Sequence, residues 1–336
     1  MDDIKSGVQY LFQTENPMTF ALSATGHAAM ECVMTNMLEP GQVVLIANNG
    51  IWGIRSQDMA KRQGAVVHEL NTPTGSNFTL SELEEGVKKY KPNLLFVTHG
   101  ESSTGVVQPL EGVGAMCHAN NCLFAVDTVA SLGGVPLEAD KLEIDVIYTG
   151  SQKVLGVPPG TAPISFSSRA VEHFQNRKTA PRSFYLDLGW LGEYWNCWPG
   201  KGRVYHHTGP VNSMYALREG LAILAEEGLE NCWRRHRVCA DLLHEGLEKL
   251  GLELFVSNPA ARLPTVNTIK VPEGVDWMAV SSYCMKKHLV EISGGLGPTA
   301  GKVWRIGVMG NNANIKTINK VLDTLKEALE SVGYKK

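Results

Sequence analysis

No apolar run in this 336-residue chain approaches the roughly 20 residues a membrane-spanning helix needs. The opening Met1-Asp2-Asp3-Ile4-Lys5-Ser6 has none of the apolar core of a signal peptide. Its closing residues, Gly333-Tyr334-Lys335-Lys336, are not an S-K-L-type address. Basic charge is not in excess: 31 Lys and Arg against 34 Asp and Glu leave a formal net charge of −3. That argues against nucleic-acid and polybasic membrane partners. The seven cysteines are an odd number, scattered, with no C-x-x-C pair, which points to a reducing compartment rather than a disulfide scaffold. Internal repeats, low-complexity tracts and long linkers are missing too. What remains is ordinary globular composition, 43% hydrophobic and 19% charged, long enough for one large core or two domains.

From about residue 20 to 165, short apolar runs alternate with helical periodicity. Strands are expected at Val43–Ala47, Ala65–Leu70, Leu94–Thr98, Leu123–Asp127 and Val146–Tyr148, with Ala162–Phe166 as an antiparallel addition. Helices are expected at Gly26–Met37, Gly53–Gln63, Leu80–Tyr90 and Leu110–Ala119. Thr79 followed three residues later by Glu82 reads as a capping box. This alternation, with near-continuous apolar strands, implies an α/β fold around a mainly parallel sheet. Residues 177–210 read as irregular and aromatic-rich. Beyond them, helices at Val211–Glu226, Glu230–Leu250, Trp277–Lys287 and Ile315–Val332 mix with strands at Thr265–Val271, Leu289–Ile292 and Val303–Gly307. The expected division is a large α/β domain, 1–225, and a smaller α+β domain, 226–336, with a long helix bridging them.

The chemistry gathers where strands end. Val146-Ile147-Tyr148 runs into the small residues Thr149, Gly150 and Ser151, and then Lys153. Ligands of open α/β sheets sit beyond the carboxyl ends of the strands, and a lysine partly desolvated there can lose its proton and attack a carbonyl. It is the place for a Schiff-base lysine. Asp127 ends the preceding strand; it is either a hydrogen-bonded strand-end carboxylate or the partner of a protonated ring nitrogen. Thr25-Gly26-His27 open a helix and form either an anion site or plain N-capping by Thr25. Trp52, in Ile51-Trp52-Gly53, either packs in the core or offers its face to an aromatic ring. The loop Thr98-His99-Gly100-Glu101-Ser102-Ser103-Thr104-Gly105 supplies hydroxyls and a histidine to the same rim. Arg305, inside the apolar strand Trp304-Arg305-Ile306, needs a structural Asp or Glu or a substrate carboxylate. Gly295-Leu296-Gly297-Pro298-Thr299-Ala300-Gly301 leads into a strand, so it is not a dinucleotide loop. On a strand, His206 and His207 would point to opposite faces, and with no third ligand a zinc site is not expected.

Taken together, these segments resemble the class V aminotransferases of the pyridoxal-phosphate fold type I superfamily, most closely their alanine–glyoxylate (serine–pyruvate) branch. The resemblance runs from Tyr10-Leu11-Phe12 to the last helix. It rests on Ile51-Trp52-Gly53, Leu94–Gly105, Val126–Gly134, Thr149–Lys153, Tyr205–Thr208 and Gly294–Pro298. It implies a mainly parallel seven-stranded sheet covered by helices, with a smaller C-terminal domain. By the same resemblance Lys153 would carry pyridoxal 5'-phosphate, Asp127 would pair with its ring nitrogen and Trp52 would stack on the ring. Thr25, Gly26, His27 and Gln152 would hold the phosphate, and Ser102 would lie near the ring hydroxyl. Tyr205 and Thr208 would reach the phosphate of a neighbouring subunit in a homodimer, and Arg305 would bind the carboxylate of small amino acids and 2-oxo acids. The implied reaction is ping-pong transfer of an amino group from alanine to glyoxylate, with serine and pyruvate as a further pair. The implied compartment is the peroxisome, with mitochondrion or cytosol as alternatives. Family members begin a few dozen residues earlier, with an arm that wraps the partner, and Met1 falls within what resembles the following helix. A non-catalytic or unstable truncated isoform that only pairs with the full-length enzyme is therefore the alternative expectation. A cysteine-desulfurase-like chemistry ranks below both, because Cys197 and Cys284 lie in no glycine- or serine-rich loop.

Overall fold

A computed structural model describes residues 1–334; Lys335 and Lys336, which end the C-terminal tetrapeptide, lie outside the described residues. Seven strands form the main sheet: β1 (Met18–Leu22), β2 (Val43–Asn48), β3 (Val66–Asn71), β4 (Leu94–Thr98), β5 (Leu123–Asp127), β6 (Val146–Tyr148) and β7 (Ala162–Phe166). Their order is β1-β7-β6-β5-β4-β2-β3, parallel from β3 through β6, with β7 antiparallel to both β6 and β1. The expected bounds of β4 to β7 coincide with the observed ones, and the capping box of helix Leu80–Tyr90 is present.

Strand β1 is absent from the expectation. Its five residues, Met-Thr-Phe-Ala-Leu, lie at a sheet edge yet are buried throughout, because helix Asp2–Phe12 and the stacked pair Phe20–Trp195 cover that edge. At the opposite edge β3 is half-exposed, so its outer residues carry the polar side chains an open edge requires. Helices Ser168–Gln175 and Leu188–Tyr194 were also unforeseen: the second is only seven residues, too short for periodicity to register.

A three-stranded antiparallel sheet, β8 (Val266–Lys270), β9 (Ser293–Gly294) and β10 (Val303–Gly307), packs with helices Trp277–His288 and Ile315–Ser331 around a second core that includes Trp304. The strand expected at Leu289–Ile292 is displaced to Ser293–Gly294. Leu289 instead closes its helix in the left-handed region (φ 55°) and is 81% exposed. Helix Leu229–Lys249 joins the cores: Leu229 and Cys232 pack into the first, Cys239, Leu243 and Leu247 into the second.

Candidate active site

Register sets the site. Thr98, Asp127 and Tyr148 are neighbours across β4, β5 and β6, so the three strands stop level and the loops that follow share one crevice. That crevice is a pocket lined by Thr25, Gly26, His27, Met30, Trp52, Gly100, Ser102, Asp127, Val129, Ala130, Gln152 and Lys153. Polar groups from several strand ends converge on it, as in small-molecule sites.

Lys153 lies on a wound turn rather than a helix. Ser151 Oγ donates to the Pro158 carbonyl (2.7 Å), the Val157 N–H donates back to Ser151, and the Gly156 N–H donates to the Lys153 carbonyl. Burial, and then the charge of Arg305, hold the Lys153 ammonium below the usual lysine range, with Asp127 opposing. A lysine so placed surrenders its proton more readily than one in water.

Asp127 is fully buried, and burial raises its carboxyl to about 6. Two donors oppose that: the Val129 N–H on Oδ1 (2.9 Å) and the Tyr148 hydroxyl on Oδ2 (2.8 Å). The strand-end and ring-partner readings of Asp127 are thus compatible, since each oxygen accepts one bond and keeps capacity for another. Tyr148 escaped the sequence reading, where it counted only as an apolar strand residue. Cross-strand pairing with Asp127 was the signal that could have found it.

At the N-terminus of helix Gly26–Met37, the Thr25 side chain makes no capping bond. Plain N-capping is therefore not what Thr25 does, and its hydroxyl stays available beside the free N–H groups of the first turn, an arrangement suited to a phosphate. Trp52 is half-buried, meets His27 edge-on at 5.3 Å, and donates from Nε1 to Ser102 Oγ (2.8 Å). Gly53 lets its helix begin so close to β2: a Cβ there would press against the Asn48 backbone at 2.9 Å.

Several expectations need correction. His99 does not reach the rim; it is buried, its Nδ1 lies 2.8 Å from Ser131 Oγ, and burial lowers its pKa to about 4. Only Gly100 and Ser102 of that loop line the cavity. Arg305 meets neither a structural carboxylate nor a closed shell. Its Nε donates to the Gly294 carbonyl (2.8 Å) and Nη1 to the Ser102 carbonyl (3.0 Å), while Nη2 has no protein partner among the described residues. His206 and His207 are not on a strand. Their rings meet in a T, with Nδ1 atoms 2.8 Å apart, and Tyr185 and Tyr194 pack on them. Tyr205 and Thr208, whose expected place is the phosphate of a neighbouring subunit and not this chain's own cavity, are no correction: they do not line this cavity, Tyr205 is 73% exposed, and its hydroxyl is 3.0 Å from Thr208 Oγ1. All seven cysteines are buried, Cys197 and Cys284 included, so neither presents a mobile thiol to the site.

The model of the aminotransferase class-V family matches residues 1–310. This chain belongs to that family. A curated relative, the alanine–glyoxylate aminotransferase of Callithrix jacchus, is 54% identical over 336 residues, all of this chain and 81% of the relative. Among solved structures, the alanine–glyoxylate aminotransferase of Nostoc superposes with a TM-score of 0.95 at 47% identity, covering 98% of this chain and 86% of that one. The ureidoglycine–glyoxylate aminotransferase of Bacillus subtilis also gives 0.95, at 35% identity, over 99% and 85%. The class V aminotransferase described here is a pyridoxal-phosphate enzyme with the fold of its family. Its residues fit that cofactor. Around one cavity stand an uncapped helix N-terminus that could take a phosphate, a buried carboxyl that could pair with a ring nitrogen, an indole that could face a ring and a lysine with a lowered pKa that could attack a carbonyl. Among the described residues no helix is long and apolar enough to cross a membrane.

Proposed function

We propose that this aminotransferase moves the amino group of alanine to glyoxylate, giving pyruvate and glycine, with serine and pyruvate as a further substrate pair. The observation that carries the reading is Arg305, tied to Ser102 of the cavity wall and near the Lys153 ammonium, with no protein partner on Nη2 among the described residues. A guanidinium fixed through two of its nitrogens presents the remaining edge to a carboxylate, the group that amino and 2-oxo acids share. Identity of 54% over all of this chain and 81% of relatives named alanine–glyoxylate aminotransferase supports alanine and glyoxylate as the pair.

In this reading Thr25, Gly26, His27 and Gln152 hold the phosphate, Asp127 the ring nitrogen, and Trp52 and Ser102 the ring face and its hydroxyl edge. The bound cofactor supplies an electrophilic carbonyl and an electron sink. The rest falls to the chain. Arg305 orients the substrate so that its α-hydrogen faces Lys153 Nζ. Lys153, whose hold on its own proton is weakened by burial and the nearby guanidinium, accepts that proton and returns it one position away as general base and then acid. The buried Asp127 carboxylate keeps the ring nitrogen charged while it does so. Tyr205 and Thr208, exposed and bonded to one another, serve the phosphate site of a second subunit in a homodimer. Residues 1–225 form the cofactor domain and 226–336 the domain that brings Arg305. The family resemblance favours the peroxisome as compartment and glycine formation as the physiological outcome.

The test is a donor and acceptor panel on the purified chain with pyridoxal phosphate. Alanine with glyoxylate should give equimolar pyruvate and glycine faster than any other pair. No turnover with any amino acid and glyoxylate would contradict the reading.

A further inference from the structure

Among the described residues, Glu101 is the one carboxylate beside the cavity to which the reaction above gives no task, and it has no exposed surface at all. Burying an ionisable carboxyl costs several kcal/mol unless it is well bonded, so its partners explain why it is there. Oε1 accepts two bonds from Ser103, one from the N–H (2.8 Å) and one from the hydroxyl (2.7 Å). Oε2 accepts the N–H of Trp52 (3.2 Å). Ser103 Oγ in turn accepts the N–H of Ile51 (3.2 Å). The first two N–H groups of helix Ile51–Arg62 are therefore capped from a different strand's loop, and the helix has no side-chain cap of its own. Gly50, which precedes it, lies flat on the carboxyl, where a Cβ would overlap it.

What this clamp fixes is the cavity wall. Trp52 is the second residue of the clamped helix and donates from Nε1 to Ser102 Oγ (2.8 Å). Ser102 lies between Glu101 and Ser103, and its carbonyl accepts Nη1 of Arg305 (3.0 Å). The Glu101 carboxylate also favours the charged form of Arg305. One buried carboxyl thus ties the indole, the serine and the arginine of the small domain into a single bonded unit.

We propose that Glu101 is a positioning residue that sets the ring-stacking wall formed by Trp52 and Ser102 and, through Ser102, the seat of Arg305. The inference rests on the aminotransferase reading of the cavity. In Glu101→Gln one acceptor oxygen must serve donors that two now satisfy, and the amide NH₂ faces the N–H of Trp52 or Ser103. The clamp opens while side-chain volume is kept.

The test titrates the cofactor-free protein with pyridoxamine phosphate, which has no carbonyl for Lys153 to attack, so its affinity reports ring and phosphate contacts alone. Burial raises the Glu101 carboxyl to about 7 against its three donors, so the titration is run at pH 8.5, where the carboxyl is ionised; there, loosening the wall these bonds hold should weaken the affinity about tenfold or more in Glu101→Gln. The KM for alanine should rise with it through Arg305, while far-UV circular dichroism stays that of the wild type. Glu101→Asp, which keeps the charge, should recover part of the affinity. A Glu101→Gln protein that loses thermal stability but binds pyridoxamine phosphate and alanine as the wild type does overturns the proposal. If neither Glu101 variant folds, Ser103→Ala, which removes one donor, decides: weakened pyridoxamine phosphate binding supports the proposal, and unchanged binding overturns it. A wild-type chain that binds pyridoxamine phosphate yet transaminates nothing would sink the functional reading while leaving the clamp open to this same titration.

Discussion

Replacing Tyr148 by Phe removes one oxygen from a fully buried ring and leaves its packing intact, so the effect should fall on Asp127. The lost bond, Tyr148 hydroxyl to Asp127 Oδ2 at 2.8 Å, stabilises the ionised carboxyl in a place where burial already raises it to about 6. A bond to a charged acceptor contributes about 1.5–3 kcal/mol, or roughly one to two pKa units, so the variant's carboxyl should titrate between about 7 and 8. The cofactor's ring nitrogen is taken to need the ionised form. Near pH 6 the variant must pay to ionise Asp127 before binding, whereas about half of the wild type already has it ionised. Affinity for pyridoxamine phosphate should then fall about five- to fiftyfold at pH 6 and converge with the wild type by about pH 9, where both carboxyls are charged. Ring-nitrogen protonation of the free ligand is common to both proteins and cancels in the ratio. Titrations of the two apoproteins across pH 6–9, followed by ligand absorbance, would give the curve directly. A deficit that does not change with pH would refute the reasoning, since it would mean that Tyr148 supports the ligand by some route other than the charge of Asp127.

Arg305→Lys should raise the KM for alanine about ten- to a hundredfold with a smaller loss of pyridoxamine phosphate affinity, because an ammonium cannot keep both carbonyl bonds and still present a planar edge; steady-state kinetics with separate ligand titrations would separate the two. The buried carboxyl of Asp127 also makes the apoprotein's stability pH-dependent. Its folded pKa is raised from 3.8 to about 6, so the folded state holds the extra proton in that window, and the contribution present below about pH 4 is lost as pH rises to about 6. Asp127→Asn lacks this loss, and its stability relative to the wild type should climb by about 2.4 kcal/mol from pH 4 to 7 in urea denaturation. A flat or falling difference would show that Asp127 is not buried as described.

The sheet was legible wherever apolar runs were short, continuous and bounded by small residues, which is why β4 to β7 coincide residue by residue with their expected bounds. Met18–Leu22 was not legible, because its burial comes from a helix and a tryptophan distant in the chain. Residue types at strand ends pointed to Lys153 and Asp127, since composition alone marks a charge that stops an apolar run. The second layer was invisible for the opposite reason. Tyr148 looks like strand filling, Glu101 like any loop carboxylate, and His99 like a rim residue until register turns one toward Asp127, another under Gly50, and the third toward Ser131. Hydrogen-bond partners depend on which strands lie side by side, and that order, β7-β6-β5-β4-β2, is not the order of the chain.

The central claim is that Lys153 is where the cofactor attaches. Incubating the purified chain with pyridoxal phosphate, reducing with borohydride and mapping the pyridoxyl label by mass spectrometry tests it most directly. The label should fall on Lys153, disappear in Lys153→Ala, and be prevented in the wild type by prior addition of alanine. A label of equal yield on other lysines, or one that persists in Lys153→Ala and still bleaches with alanine, would contradict the account.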